Sequence, residues 1–344
     1  MTRRKVVFRE PFRVEVEEGL PPLPGPDQLL VGVRFSAISP GTEMLVYQGQ
    51  WPPGVPLDAT ITSLAGPFHY PLTYGYATVG RVLAQGEEVP DTWLGRRVFA
   101  FHPHESLFAA RPDALYPIPD DIDDQTALFL PAMETAVTLL LDGAPLIGEE
   151  VVVSGQGIVG LLTTALLTRF PLTSLITLDC HAIRREASLR LGATDALDPA
   201  EDDAMERLGA ATGSGGQADL VYELSGNPAA LDPALGLCRF SGRVVVGSWY
   251  GAKRVSLDLG SFFHRGRVTL ISSQVSTIAP ALSGRWQGER RIAVAWEMLR
   301  QVRPASLISH SLPLAEAALA YDLIHRAPGE TIQVILDHSI PTES

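Results

Sequence analysis

The chain has 344 residues, 46% of them hydrophobic, and a formal charge of -12 at pH 7. That length supports a sizeable core and suits two domains better than one. The acidic balance disfavours nucleic acid or an anionic membrane as the main partner, because both reward a basic surface. Charge at Arg3, Arg4 and Lys5 interrupts the stretch that a signal peptide keeps apolar. No apolar run approaches the roughly 20 residues of a membrane helix. The expectation is a soluble, cytoplasmic protein. Its two cysteines, Cys180 and Cys238, are far apart in sequence, which argues against a disulfide framework and a cysteine-rich structural zinc.

Residues 1–130 read as β-rich. Short strands at 29–33 and 97–101 are punctuated by Pro-Gly loops at 21–26 and 52–56. An irregular stretch follows at 51–73; its aromatics Trp51 and Phe68, with Trp249 and Tyr250 further on, suggest a roomy, partly aromatic pocket. From about 131 the texture becomes alternating strand and helix. Strands are expected at 151–153, 175–179, 219–224, 243–247 and 268–272. Helices are expected at 158–170, 182–191 (ended by Gly192) and near 229–238. That order specifies a parallel sheet with crossover helices. The tail is mixed and ends in a strand at 331–336.

The segment Gly155-Gln156-Gly157-Ile158-Val159-Gly160 links the first of these strands to the first helix. Gly155 permits the tight turn, Gly157 lets the backbone approach a pyrophosphate, and Gly160 lets helix pack on strand. The helix N-terminus offers N–H groups and a positive dipole end to phosphates. Asp179 ends the next strand, where a carboxylate accepts the adenosine ribose hydroxyls and repels a 2′-phosphate. NAD is therefore expected over NADP, with Arg184 flanking the adenosine end as the feature that keeps NADP open. Ser225-Gly226 and Gly247-Ser248 end later strands, and Ser273 the next; ligands collect at such strand ends.

These motifs carry a family resemblance. With Ala37-Ile38-Ser39-Pro40-Gly41-Thr42-Glu43, Gly75-Tyr76-Ala77-Thr78-Val79-Gly80 and Leu94-Gly95-Arg96-Arg97-Val98, the chain resembles the medium-chain dehydrogenase/reductases over nearly its whole length. Within them it is most similar to the branch containing bacteriochlorophyllide 2-hydroxyethyl dehydrogenase. The resemblance implies an α/β fold in two parts. A GroES-like β-rich catalytic domain takes residues 1–131 and 275–344, and a doubly wound Rossmann domain takes 132–274. It also implies a small-molecule substrate, a homodimer, and Thr135 as a nicotinamide contact.

The departures from the family are chemical. Where the family's zinc-ligating Cys is implied stands Pro40; where His-Glu is implied stand Tyr76-Ala77; where the third ligand is implied stand Leu130 and Pro131. A catalytic zinc needs three protein ligands and an open position, so no catalytic or structural zinc is expected. A hydrogen-bonding side chain must then manage the proton. The candidates are Tyr76, as a donor or a phenolate base, or else as filler of the lost metal site; Thr42, aligned with the family's relay hydroxyl or simply a turn residue; His102 and His104, as relay imidazoles or ordinary loop histidines; and Glu134, as acid/base or helix cap. Glu43 reads as structural.

The reading is a zinc-independent, NAD-dependent oxidoreductase interconverting a secondary alcohol and a ketone. The alternatives are an NADPH-dependent quinone or enoyl reductase and a catalytically inactive dinucleotide-binding protein.

Overall fold

The computed structural model describes residues 2–58, 61–212 and 215–339. In chain order the strands are β1 (Arg3–Glu10), β2 (Arg13–Gly19), β3 (Leu29–Ala37), β4 (Thr78–Gln85), β5 (Arg97–Ala100), β6 (Leu107–Ala110), β7 (Leu115–Pro117), β8 (Glu150–Ser154), β9 (Ser174–Leu178), β10 (Asp195–Leu197), β11 (Ala218–Glu223), β12 (Cys238–Val246), β13 (Thr269–Ser272), β14 (Ile308–Pro313) and β15 (Gln333–Asp337). The helices are α1 (Thr42–Tyr47), α2 (Asp124–Ala127), α3 (Leu130–Gly143), α4 (Ile158–Leu167), α5 (Ala182–Leu191), α6 (Ala204–Ala211), α7 (Leu231–Gly236), α8 (Gly288–Val302) and α9 (Ala317–Arg326).

The chain divides into two compact units, Met1–Pro131 with Arg303–Ser344, and Ala132–Val302. The return to the first unit thus falls at 303 rather than at the expected 275. The reason is α8, which belongs to the second unit: its buried Arg291 pairs with Glu134 on α3 at 2.6 Å.

In the first unit β1 and β2 form a hairpin, and a larger sheet runs β14-β15-β3-β4-β5-β7, with β6 also pairing β3. One core gathers Val6, Phe8, Ile38, Tyr74, Tyr321 and Leu336. Another, across the sheet residues Leu29, Val31, Val82, Val98 and Phe108, fills the far end. The long loop does not line an open pocket with its aromatics. Trp51 is buried and stacks on Phe68 at 5.4 Å, and Tyr70 donates its hydroxyl to the Val46 carbonyl. Residues 59 and 60 of this loop lie outside the described residues.

In the second unit six strands run in the order β10-β9-β8-β11-β12-β13, every neighbouring pair parallel. Counted from β8 this is 3-2-1-4-5-6, the Rossmann order. Val151, Val152 and Val153 are buried on both faces, as a central parallel strand requires. Helix α4 stops at Leu167 rather than 170, because Phe170 precedes Pro171 and is steered away from helical backbone. Helix α5 ends on Gly192 at φ +107, whose neighbour Ala193 donates back to the Ser188 carbonyl at 3.1 Å. Helix α7 is shorter than expected. Cys238 has already joined the sheet opposite Ala218.

Candidate functional site

The second unit builds a dinucleotide cradle from backbone sterics. Gly155 sits at φ +92, and a Cβ there would lie 2.5 Å from the Ser225 backbone. A Cβ on Gly160 would lie 1.9 Å from the Gly155 carbonyl oxygen, so the α4–β8 packing admits only glycine. Gly157, the N-cap of α4, faces open space and has no side-chain cap. The first-turn N–H groups of Ile158 and Val159 are thus left for an anion. The side chain of Gln156 is buried and turned inward, accepting from Thr164 at 3.0 Å, so only its backbone belongs to the cradle.

Asp179 stands at the end of β9, nearly buried. Its Oδ2 accepts from the Gln156 amide at 2.7 Å and its Oδ1 from the His181 amide at 2.8 Å. The carboxylate therefore ties the glycine turn to the start of α5 and keeps lone pairs for a further donor. Arg184 approaches it at 3.9 Å, while Arg185 bonds the Asp179 carbonyl and Asp198, both at 2.9 Å. The cradle fits a dinucleotide: an uncapped helix end, a glycine facing space, and a carboxylate at the neighbouring strand end.

The other strand ends are more self-contained than expected. The amides of Ser225 and Gly226 donate to Glu223 and to the Ser248 hydroxyl, each at 2.9 Å. Gly247 is required by packing, since a Cβ would meet Leu224 at 2.6 Å and Leu139 at 2.7 Å. Ser273 donates to Asp142 at 2.6 Å. Thr135 is half-buried on α3.

Glu134 is corrected from acid/base candidate to structural partner. Arg291 donates to its Oε1 from Nε at 3.0 Å and Nη2 at 2.6 Å. Burial pushes the Glu134 carboxyl up, and Arg291 opposes that shift.

In the first unit three hydroxyls converge beside Pro40 and Tyr76, two of the positions where the family resemblance implies zinc ligands. Tyr76 Oη donates to Ser39 Oγ at 2.6 Å and is also hydrogen-bonded to Thr42. All three residues are half-buried. Burial pushes the Tyr76 phenol above its ordinary 10, with Ser39 and Thr42 pulling it back. The phenolate base is thereby corrected: at neutral pH this group is a neutral donor. Pro40, Tyr76 and Ala77 offer no thiolate, imidazole or carboxylate, so these positions do not fit a zinc ion. Among the described residues, one group of three His, Cys, Asp or Glu side chains converges within 4.8 Å. It is Asp179, Cys180 and His181, in the other unit.

The two loop histidines go separate ways. His102 bonds Glu105 at 2.5 Å and stacks on Phe108 at 3.9 Å. His104 is fully buried, its Nε2 at 2.9 Å from Glu43 and its Nδ1 at 2.8 Å from Ser36. Ser36 continues to His338 Nε2 at 2.9 Å. Glu43 also accepts from the Ser39 amide at 2.8 Å and from Tyr321 at 2.5 Å. His104 therefore supports the hydroxyl set from behind and meets no solvent. Its packing explains Gly75: a Cβ there would lie 2.6 Å from the imidazole.

Sequence reasoning missed Ser39 as a partner of Tyr76, and it missed Ser36, Tyr321, His338, Glu223 and Arg291. Ser39 had a signal, a hydroxyl beside the ligand position. Glu223 had another, a carboxylate closing an apolar strand.

A zinc-binding dehydrogenase family model matches residues 159–290. Sorbitol dehydrogenase of Bacillus subtilis is 29% identical over 136 residues, 40% of this chain and 38% of that protein. L-threonine 3-dehydrogenase of Pectobacterium atrosepticum is 26% identical over 294 residues, 74% of this chain and 76% of that protein. A solved structure from Sinorhizobium meliloti 1021, bound to NADP and assigned to the zinc-binding dehydrogenases, shares the fold at TM-score 0.77 and 20% identity. It covers 98% of this chain and 99% of its own. Together these matches support a member of the medium-chain dehydrogenase/reductase superfamily, zinc-type alcohol dehydrogenase-like, and an NAD(P)-dependent oxidoreductase.

Proposed function

We propose that the protein is a zinc-independent, NAD(H)-dependent oxidoreductase that interconverts a secondary alcohol and a ketone. The observation that carries this reading is the hydroxyl set of Ser39, Thr42 and Tyr76, in which Tyr76 holds a position where the resemblance implies a zinc ligand. The polyol- and hydroxy-acid-type names of the relatives support an alcohol/ketone couple.

The bound nicotinamide supplies or accepts the hydride. The chain does the rest. Gly157 and the α4 N-terminus receive the pyrophosphate, and Asp179 accepts from the adenosine ribose. Tyr76 Oη, protonated at neutral pH, turns its single proton from Ser39 Oγ to the substrate oxygen, and the Ser39 and Thr42 hydroxyls then donate to Oη and stabilise its negative charge as that proton leaves.

Asp179 supports NAD over NADP, because it would face a 2′-phosphate as a like charge. Arg184, at 3.9 Å from that carboxylate, supports the second reading, an NADPH-dependent quinone or enoyl reductase. No helix of the described residues is long and apolar enough to cross a membrane. We place the protein in the cytoplasm. We propose a homodimer joined at β13, an edge strand whose Leu270 is 39% exposed.

The test combines titration of the purified protein with NADH and NADPH, metal analysis, and turnover on secondary alcohols, ketones and enones with and without chelator. Tighter NADH binding and chelator-resistant alcohol oxidation are expected. Stoichiometric zinc with chelator-sensitive turnover would sink the zinc-free mechanism. Tighter NADPH binding with enone reduction would favour the second reading. Cofactor binding without turnover on any substrate would leave a binding protein.

A further inference from the structure

Glu223 closes β11 with a carboxylate that is 0% exposed. Among the described residues no Lys, Arg or His forms an ion pair with it. Its partners are all neutral donors. Oε1 accepts from the Ser225 amide at 2.9 Å and from the Ser225 hydroxyl, and Oε2 accepts from the Tyr250 hydroxyl. The Glu223 carbonyl accepts from the amides of Gly247 at 3.1 Å and Ser248 at 3.3 Å. One residue thus holds the loops after β11 and β12 together. A buried carboxylate without a cation is costly, and it persists only where several donors compensate.

The network also sets what these loops present. Ser225 N–H goes to Glu223, Gly226 N–H to Ser248 Oγ at 2.9 Å, and Asn227 N–H to Ser225 Oγ at 3.1 Å. The exposed turn 225–227 has its three backbone N–H groups bonded within the loops. Its acceptors are engaged as well: the Asn227 carbonyl accepts from the Ala230 amide at 3.0 Å, Asn227 Oδ1 from the Ala229 amide at 3.1 Å, and the Gly226 carbonyl from Lys253 Nζ at 3.5 Å, so the turn is a self-bonded unit whose placement is fixed by Glu223. The turn also abuts the glycine cradle, since the Cβ position of Gly155 lies 2.5 Å from the Ser225 backbone. In the β10-β9-β8-β11-β12-β13 order, Asp179 marks the half that takes adenosine, so β11 and β12 belong to the other half.

We infer that Glu223 is a positioning residue for the nicotinamide half of the dinucleotide, holding the 225–227 and 247–250 turns in fixed register beside the glycine cradle. The inference rests on the dinucleotide reading proposed above. Neither Glu223 nor Tyr250 needs to touch the cofactor.

The test measures dissociation constants for NADH and for ADP, which carries only the adenosine half, by titration of the full chain. E223Q keeps the volume but removes the charge and turns an N–H₂ toward donors. It is expected to weaken NADH about tenfold, or about 1.4 kcal/mol, and ADP less than about twofold. E223D, which keeps the charge, should recover part of the loss. Equal weakening of NADH and ADP would reduce Glu223 to a general structural role and overturn the inference, as would unchanged NADH binding. If E223Q does not fold, Y250F removes one donor and leaves the carboxylate. It should weaken NADH about threefold with ADP unchanged, and a folded Y250F with unaltered NADH affinity overturns the inference. Wild-type protein that binds ADP but responds to no substitution here spares the dinucleotide reading and overturns this one. Wild-type protein that binds neither ligand overturns both.

Discussion

Tyr76 donates its phenolic proton to Ser39 Oγ across 2.6 Å, at a position where the family resemblance implies a metal ligand. With burial holding the phenol above its ordinary 10, the pair is a neutral hydrogen-bond unit through the physiological range. Tyr76→Phe should lower kcat about 100-fold while leaving NADH affinity unchanged, the scale of losing a positioned acid/base group. Ser39→Ala should have a smaller effect in the same direction. Steady-state kinetics at saturating cofactor checks both, and full turnover in the Tyr76→Phe protein would remove Tyr76 from the mechanism. Because the shift is upward, ketone reduction should show no loss attributable to Tyr76 as pH rises until beyond 10.

Asp179 ties the glycine turn to the start of α5 at the strand end where the proposed reading puts the adenosine ribose. Asp179→Asn should weaken NADH about tenfold, the scale of a lost charge-assisted hydrogen bond, and should narrow the gap to NADPH. Parallel fluorescence titrations read the two constants. A larger loss for NADPH than for NADH would contradict the like-charge argument.

Two glycines of the same turn should behave oppositely. Gly160→Ala places a Cβ 1.9 Å from the Gly155 oxygen and should cost about 1–3 kcal/mol in folding stability. Gly157→Ala meets nothing within 4 Å and should fold with near-native Tm while binding NADH more weakly. Melting curves beside binding titrations separate the two, and equal Tm losses would refute the steric account.

Glu134 and Arg291 form a buried pair in which one member alone is worse than neither. Arg291→Met should destabilise by about 3 kcal/mol, because it strands a buried carboxylate. Adding Glu134→Gln should restore much of that loss. Chemical denaturation of the two single variants and the double variant forms the cycle. Additive losses would mean the pair is not coupled.

His338 should give the protein an acid-sensitive component. Burial, then His104 and Arg4, lower its pKa from the ordinary 6.5 to about 3. A lowered imidazole pKa means that the unfolded chain binds the proton first. The neutral form therefore contributes full stability above 6.5, lost at about 1.4 kcal/mol per pH unit as pH falls toward 3. His338→Gln removes that titration, so its stability should fall less steeply between pH 6.5 and 4. Superimposable pH profiles would exclude His338 as the source.

Much of the second unit was legible in the residues. Three glycines, an apolar run and Asp179 lie close together in sequence, and their meaning follows from local sterics: a left-handed turn, a close helix–strand approach, a strand-end carboxylate. The expected span of α5 was met at both ends for the same reason, since Gly192 can adopt the left-handed backbone that stops it. The loss of ligating side chains was equally plain, because Pro40 and Tyr76 cannot become a thiolate or an imidazole wherever they sit.

Partner choice was not legible. His102 and His104 are two residues apart, yet one reaches Glu105 and the other Glu43, with Ser36 and His338 beyond. Glu134 had the composition of a catalytic acid until Arg291, far along the chain, closed on it. The sequence by itself determined the Rossmann turn, the acidic strand end and the non-ligating residues Pro40 and Ala77, since these depend on residue identity and nearest-neighbour sterics. Only the tertiary structure decided which polar groups are locked in buried networks and which stay available, because burial and long-range hydrogen bonding arise when distant segments pack and leave water.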